Sequence, residues 1–89
     1  MSKVKISQPT KEEKDKLGLN TWGVWSCGIS KFPWEYSDRE TCYIIEGEVT
    51  VKTDEGDYSI KAGDLVTFES GLSCEWDVKK PIKKYYRFG

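Results

Sequence analysis

The stretch KFPWEYSDRETCYIIEGEVTV, residues 31–51, decides the fold. It is rich in aromatic and β-branched residues, which favour β-strands over helices. Glu40 is followed seven residues later by Gly47, which we expect at a tight turn. The stretch therefore predicts successive short strands, one of which begins with the acidic side chain of Glu40.

The rest of the chain after Trp22 repeats this pattern of short strand-like runs separated by glycine or acidic turns. The runs are WGVWSCGI, KFPWEY, ETCYII, EVTVKT, DYSI, DLVTF, LSCEWDV and IKKYYRF. Their spacing suits an all-β sandwich or barrel and leaves no room for βαβ crossovers. The segment TDEGDY, residues 53–58, predicts a hairpin turn with Gly56 at positive φ.

One short helix is predicted before the strands. Thr10 and Glu13 have the spacing of a capping box, and Gly18 stands where the helix would end. Length and composition indicate one domain over residues 1–89, with a strand and the helix in residues 1–21 and a small antiparallel β-barrel in residues 22–89.

The charge balance argues against nucleic acid as a partner. The chain contains fourteen basic and fifteen acidic residues, whereas phosphate binding needs concentrated positive charge. The basic run KKPIKK, residues 79–84, is interpreted as the solvated face of an edge strand. No segment has the roughly 20 apolar residues of a membrane span, so no membrane partner is expected.

Cysteine usage indicates a reducing compartment. Three cysteines without CxxC spacing predict neither a disulfide framework nor a structural zinc site. With no signal-peptide pattern at the N-terminus, a cytoplasmic location is expected; a plastid location would require that a longer precursor had been trimmed.

Side chains alternate across a strand, so residue parity sorts the two faces. Four inward sets follow: Phe32, Trp34 and Tyr36; Glu40, Cys42 and Ile44; Leu72, Cys74, Trp76 and Val78; Ile82, Lys84, Tyr86 and Phe88. Glu40 and Lys84 are charges within apolar sets. Because a buried unpaired charge is costly, each must be paired, be open to a solvated cavity or have a shifted pKa, and a barrel with a polar pocket would satisfy both.

The spacing of these residues resembles the cupin superfamily of small RmlC-like jelly-roll barrels. Glu40 and Gly47 fill the last two fixed places of the first cupin motif, and Gly63 with the following DLVTF segment opens the second. The phrases ETCYIIEGEVTV and AGDLVTFESGLSCEWDV are similar to the small single-domain group related to the (S)-ureidoglycine aminohydrolase cupin domain. This resemblance implies an all-β jelly roll.

The chain departs from the cupin motifs at the metal ligands. The histidine places of the first motif fall on Trp34 and Tyr36, that of the second falls on Cys74, and the chain contains no histidine. Only Glu40 keeps a ligand identity, so we expect no metal cofactor. If a divalent metal did bind, Glu40 and Cys74 would be its ligands.

The leading hypothesis is that the barrel binds a small polar metabolite. Trp34, Tyr36, Trp76 and Tyr86 would form the walls, and Glu40, Cys74 and Lys84 the polar anchors.

Two alternatives remain. One is a cupin enzyme similar to (S)-ureidoglycine aminohydrolase, with Glu40 as acid or base and Cys74 as nucleophile or ligand. The other is a structural or regulatory subunit in which Glu40 is ion-paired and the aromatic residues and Cys74 are only core.

A homodimer is expected, because small barrels with exposed edges and cupins commonly pair. Light scattering tests this expectation, which would be wrong if a monomer mass persisted over a wide concentration range.

Overall fold

The computed structural model describes residues 3–89, so the first two residues of the predicted N-terminal region lie outside the described part. It confirms an all-β fold with one short α-helix. The elements are β1 Val4–Ser7, α1 Lys11–Leu17, a 3-10 helix Leu19–Thr21, β2 Gly23–Cys27, β3 Ser30–Glu35, β4 Glu40–Thr53, β5 Gly56–Lys61, β6 Leu65–Phe68 and β7 Ser73–Phe88.

Two long antiparallel strands, β4 and β7, run through the whole molecule and pair with each other. Beside them lie two half-sheets. The first has the order β1-β6-β4-β7-β2, and in the second β5 pairs with the other part of β4 and β3 with the other part of β7. The described sheet path begins at β1 and ends at β2, so the predicted barrel does not close through hydrogen bonds.

The core lies between the half-sheets. The Phe68 ring, on β6, lies 5.9 Å from that of Trp76, on the second half-sheet, and Tyr36 stacks on Phe68 at 4.6 Å. The remaining buried apolar side chains come from both halves; they include Cys42, Ile44, Val49, Val51, Ile60, Val66, Val78 and Ile82. The predicted inward parity is thereby confirmed for Cys42 and Ile44 of β4 and for Val78 and Ile82 of β7. It does not hold at the end of β7, where Phe88 is exposed.

The expectation of a tight turn at Gly47 is wrong. Gly47 lies inside the 14-residue strand β4, and the runs LSCEWDV and IKKYYRF likewise join into the single strand β7. The β4–β7 register shifts three times, between Ile44 and Glu46, between Glu46 and Glu48, and between Glu48 and Val49. Such bulges bend a strand and increase its twist, which lets β4 and β7 pass from one half-sheet to the other without a turn.

The basic run of residues 79–84 is not on an edge strand, because β7 lies between β4 on one side and β2 and β3 on the other. Lys79 and Lys80 are exposed and pair with Asp77 and Glu48 respectively. Lys84 is buried. The run is thus split between solvent and core, as strand alternation and the bulges dictate.

The local signals before and after the first strands are confirmed. The Thr10 side chain accepts a hydrogen bond from the Glu13 N–H at 3.2 Å, and the Glu13 carboxylate accepts one from the Thr10 N–H at 3.0 Å. Gly18 ends α1 in the left-handed conformation, and Gly56 has a φ of 133° in the β4–β5 hairpin. No helix within residues 3–89 is long and apolar enough to cross a membrane.

Gly47 is predicted to be the glycine least tolerant of substitution. Its φ is +97°, and an added Cβ would lie 2.1 Å from the carbonyl oxygen of Pro81 on the neighbouring strand. Gly47→Ala should therefore lower the free energy of unfolding by about 3 kcal/mol or more. Urea unfolding measures this, with Gly28→Ala as the control because nothing lies within 4 Å of a Cβ there. Equal losses in both variants would contradict the role of Gly47.

Candidate functional site

A cavity of about 200 Å³ opens at the end of the core where the aromatic side chains of both half-sheets converge. We call it the aromatic cavity. Six of the residues predicted from the sequence line it: Trp34, Tyr36, Glu40, Trp76, Lys84 and Tyr86. Three further aromatic residues complete its wall: Trp25, Phe32 and Phe88. Its surface is therefore largely aromatic with one acidic and one basic side chain.

Glu40 and Lys84 form a buried ion pair. The ammonium of Lys84 donates a hydrogen bond to the Glu40 carboxylate at 2.7 Å, and the two residues are 4% and 6% exposed. On the paired strands Glu40 lies opposite Phe88 and Lys84 lies opposite Ile44, with Cys42 and Tyr86 between them. The two long side chains therefore reach toward each other along the same face, past the small side chain of Cys42.

The Lys84 ammonium also faces two indole rings. It lies 5.0 Å from the ring centroid of Trp25 and 4.7 Å from that of Trp76. Ring faces attract cations because the π electrons make them negative. Phe32 stacks on Trp76 with 16° between the ring planes, which fixes the orientation of that indole. The charge of Lys84 is thus stabilised by one carboxylate and two aromatic faces.

Tyr36 links the polar end of the cavity to the core. Its hydroxyl accepts a hydrogen bond from the Trp76 indole N–H at 3.2 Å. Burial raises the pKa of Tyr36 far above its usual range, and the negative charge of Glu40 raises it further. The phenol therefore stays protonated at physiological pH and keeps an O–H available for donation.

The mouth of the cavity is marked by two exposed aromatic rings. Trp34 is 50% exposed and Phe88 is 60% exposed, although both line the cavity. Exposed apolar surface that is grouped at the edge of a groove is a common feature of ligand-binding sites. Trp34 and Phe88 are therefore placed to contact a molecule that enters the cavity.

Cys74 lies apart from this arrangement. It is half-buried, stands opposite Trp34 in the β3–β7 register and does not line the aromatic cavity. Burial raises the pKa of its thiol to about 11, and the Trp76 indole N–H offsets only part of this. The positive charge of Lys84 acts on Cys42, where burial nevertheless raises the pKa to about 12. The polar anchors at the cavity are therefore Glu40 and Lys84.

The donor set does not fit the metal site that a cupin fold implies. The residues at the histidine places of the first motif, Trp34 and Tyr36, offer an indole and a protonated phenol, neither of which is a good metal ligand. The Glu40 carboxylate is already paired with Lys84. Among residues 3–89, no three His, Cys, Asp or Glu side chains are grouped closely enough to hold a metal ion.

Sequence reasoning missed three of the cavity residues. Phe32 and Phe88 had been placed on the same faces as Tyr36 and Tyr86, so parity could have found them. Trp25 belongs to none of the inward sets that parity predicts. Its position follows from the β2–β7 register, in which Trp25 stands opposite Lys84. No sequence pattern in β2 specifies that register.

Comparison with known proteins identifies the family. The EutQ-like cupin domain matches residues 14–86. The chain belongs to the EutQ-like cupin domain family. A crystal structure of a DUF861 family protein from Thermotoga maritima is 46% identical, with a TM-score of 0.94 over 97% of this chain and 99% of that one. None of the curated proteins compared with the chain matches it.

More distant members share the fold. The EutQ protein of Clostridium difficile is 21% identical, with a TM-score of 0.68 over 74% of this chain and 52% of that one. A DUF861 family protein of unknown function from Pseudomonas syringae is also 21% identical, with a TM-score of 0.68 over 99% of this chain and 32% of that one. This chain spans about half and one third of those proteins respectively, so their similarity supports the domain fold alone.

We predict that removing one member of the ion pair destabilises the fold more than replacing both members. Lys84→Met should lower the free energy of unfolding by about 3 kcal/mol, because it leaves the Glu40 carboxylate buried without its partner. Adding Glu40→Gln to that variant should restore part of the loss, because the remaining carboxamide carries no charge. Urea unfolding of the single and double variants measures this, with exposed Lys83→Met as the control. A double variant less stable than Lys84→Met would contradict the prediction.

The Cys74 thiol is predicted to be unreactive near neutral pH. In a Cys27→Ser variant, alkylation of Cys74 by iodoacetamide should rise about tenfold per pH unit between about pH 8 and pH 10, because a thiol with a pKa of about 11 is still mostly protonated there. Peptide mass spectrometry gives the rate, and the Cys27→Ser/Cys74→Ser variant corrects for any reaction at Cys42. A rate that levels off near the ordinary thiol pKa of about 8.5 would show an activated cysteine.

Proposed function

We propose that this EutQ-like cupin binds a small polar metabolite in the aromatic cavity, without a histidine-coordinated metal. One observation carries the proposal: a buried carboxylate–ammonium pair lies at an aromatic cavity of about 200 Å³. Small-molecule sites are commonly apolar pockets with a few placed polar groups, which is the composition of this one. The aromatic rings would hold the body of the ligand, and Glu40 and Lys84 would bind its polar group.

A barrel that is packed shut explains the site less well. A sealed core would bury its large rings and fill the space between them, because protein interiors are close-packed. Here Trp34 and Phe88 are half or more exposed at the edge of an open cavity. The ion pair alone is compatible with either function, but the cavity beside it favours binding.

An enzyme similar to (S)-ureidoglycine aminohydrolase is the second candidate. Its support is that Glu40 lies in the cavity, 2.7 Å from a proton-bearing ammonium, where a carboxylate and an amine could move a proton. Two features weigh against it: Cys74 is outside the cavity with a raised pKa, and the metal-ligand histidines are replaced. In this function Glu40→Gln would abolish turnover of a bound compound while leaving its binding measurable.

The binding function predicts saturable ligand titrations that depend on the cavity mouth. Three of the four tryptophans line the cavity, so indole fluorescence should respond when small acids, amines, amides and amino acids are screened. Trp34→Ala should weaken any hit roughly fivefold, because one aromatic contact contributes about 1 kcal/mol. Val24→Ala is the matched control, as Val24 is an exposed apolar residue outside the cavity.

Two outcomes would overturn this function. One is a broad screen without a saturable hit. The other is near-stoichiometric metal, measured by elemental mass spectrometry on protein purified without chelator, that is lost in Glu40→Gln.

A further inference from the structure

We infer that the ligand of the aromatic cavity is a small zwitterion of the α-amino-acid type, with its carboxylate on Lys84 and its ammonium on Glu40. This inference rests on the proposed function, since it names the class of molecule that the same cavity takes.

The first argument is the charge balance of the cavity wall. Of the described residues that line it, two are charged, Glu40 and Lys84, and they carry opposite signs. A ligand with a single negative charge is attracted by Lys84 but repelled by the Glu40 carboxylate, whose oxygen lies 2.7 Å from the same ammonium. A ligand with a single positive charge meets the reverse conflict. Only a ligand that carries both charges has a favourable electrostatic interaction with both groups.

The second argument is the spacing of those charges. The two charged groups of the protein are in hydrogen-bond contact, so a complementary ligand needs its own opposite charges to be neighbours. In an α-amino acid the ammonium and carboxylate are attached to one carbon atom. Such a molecule can lie beside the ion pair with its charges reversed, so that each charged group of the four has an opposite neighbour.

The third argument concerns the aromatic wall. Ring faces stabilise cations and disfavour anions, and the Lys84 ammonium already uses the faces of Trp25 and Trp76. Tyr86, Phe88, Phe32 and Trp34 supply further ring surface for the ligand. A ligand that carries a carboxylate but no ammonium of its own would place its charge beside ring faces, which disfavour anions. The side chain of an amino acid, in contrast, gains apolar contact with the same rings.

The test uses compounds that differ only in charge. L-Leucine, 4-methylpentanoate and 3-methylbutylamine share one branched hydrocarbon body, and they carry both charges, the negative charge alone and the positive charge alone. L-Phenylalanine, 3-phenylpropanoate and 2-phenylethylamine form a second set with an aromatic body. Each compound is titrated into the wild-type protein while tryptophan fluorescence is followed, and isothermal calorimetry confirms the affinities.

The expected result is that the amino acid of at least one set binds about tenfold or more tightly than both of its single-charge analogues. An analogue that binds as tightly as its amino acid in both sets overturns the inference and leaves the proposed binding function intact. Absence of saturable binding by all six compounds also overturns it. The wider ligand screen then decides separately whether the cavity binds anything.

Variants of the ion pair provide a second readout. Glu40→Gln should shift the preference toward the carboxylate analogue, because Lys84 is then the only charge at the site. Lys84→Met should shift it toward the amine analogue, and the exposed control Lys83→Met should keep the wild-type order. Near-UV circular dichroism checks that each variant is folded. A variant that folds and keeps the wild-type order overturns the assignment, and the wild-type titrations remain decisive if a variant does not fold.

Discussion

The ion pair between Glu40 and Lys84 is the constraint on which the rest of the structure depends. Removing two opposite charges from water is costly, and the cost is recovered only if they meet in good geometry within the protein. The partners are on different strands, Glu40 at the start of β4 and Lys84 near the end of β7. Their contact at 2.7 Å therefore requires that these two strands hold one particular register.

Several features of the fold serve that register. The small, fully buried side chain of Cys42 and its partner Tyr86 lie between the two charged residues in the β4–β7 register. The bulges around Gly47 then shift β4 against β7 before both strands enter the second half-sheet. Two shifts add a residue on the β7 side and one adds a residue on the β4 side. The net shift of one residue moves the buried positions of β4 from even numbers, such as Cys42, to odd numbers, such as Val49. The buried positions of β7 remain even-numbered, so Trp76 and Lys84 both line one cavity.

This geometry explains how much of the structure could be predicted from the sequence. Alternation is a local property, so parity placed Glu40, Lys84 and the aromatic residues of β3 and β7 on inward faces. The capping box of α1 and the β4–β5 hairpin are local as well.

Register and bulges are not local. A glycine such as Gly47 can supply the positive φ of a turn or of a β-bulge, and the sequence does not distinguish the two. Trp25 gave no signal of its own because only the pairing of β2 with β7 brings it over Lys84. Cys74 shares the inward parity of Trp76, yet the cavity wall does not extend to its position on the strand.

The replacement of the cupin histidines changes what the cavity can discriminate. A metal ion presents a concentrated positive charge, and a site built around it selects ligands by their ability to donate electron pairs. Here the histidine places hold Trp34 and Tyr36, and the carboxylate that would have bound the metal is paired with an ammonium on the neighbouring strand. The cation of the site has thus become a side chain that is held by one carboxylate and two ring faces. Unlike a metal ion, this cation is covalently fixed and already neutralised. In the proposed function, selectivity would therefore depend on matching the oriented charges of Glu40 and Lys84 inside an aromatic wall, and not on donating an electron pair to a metal ion.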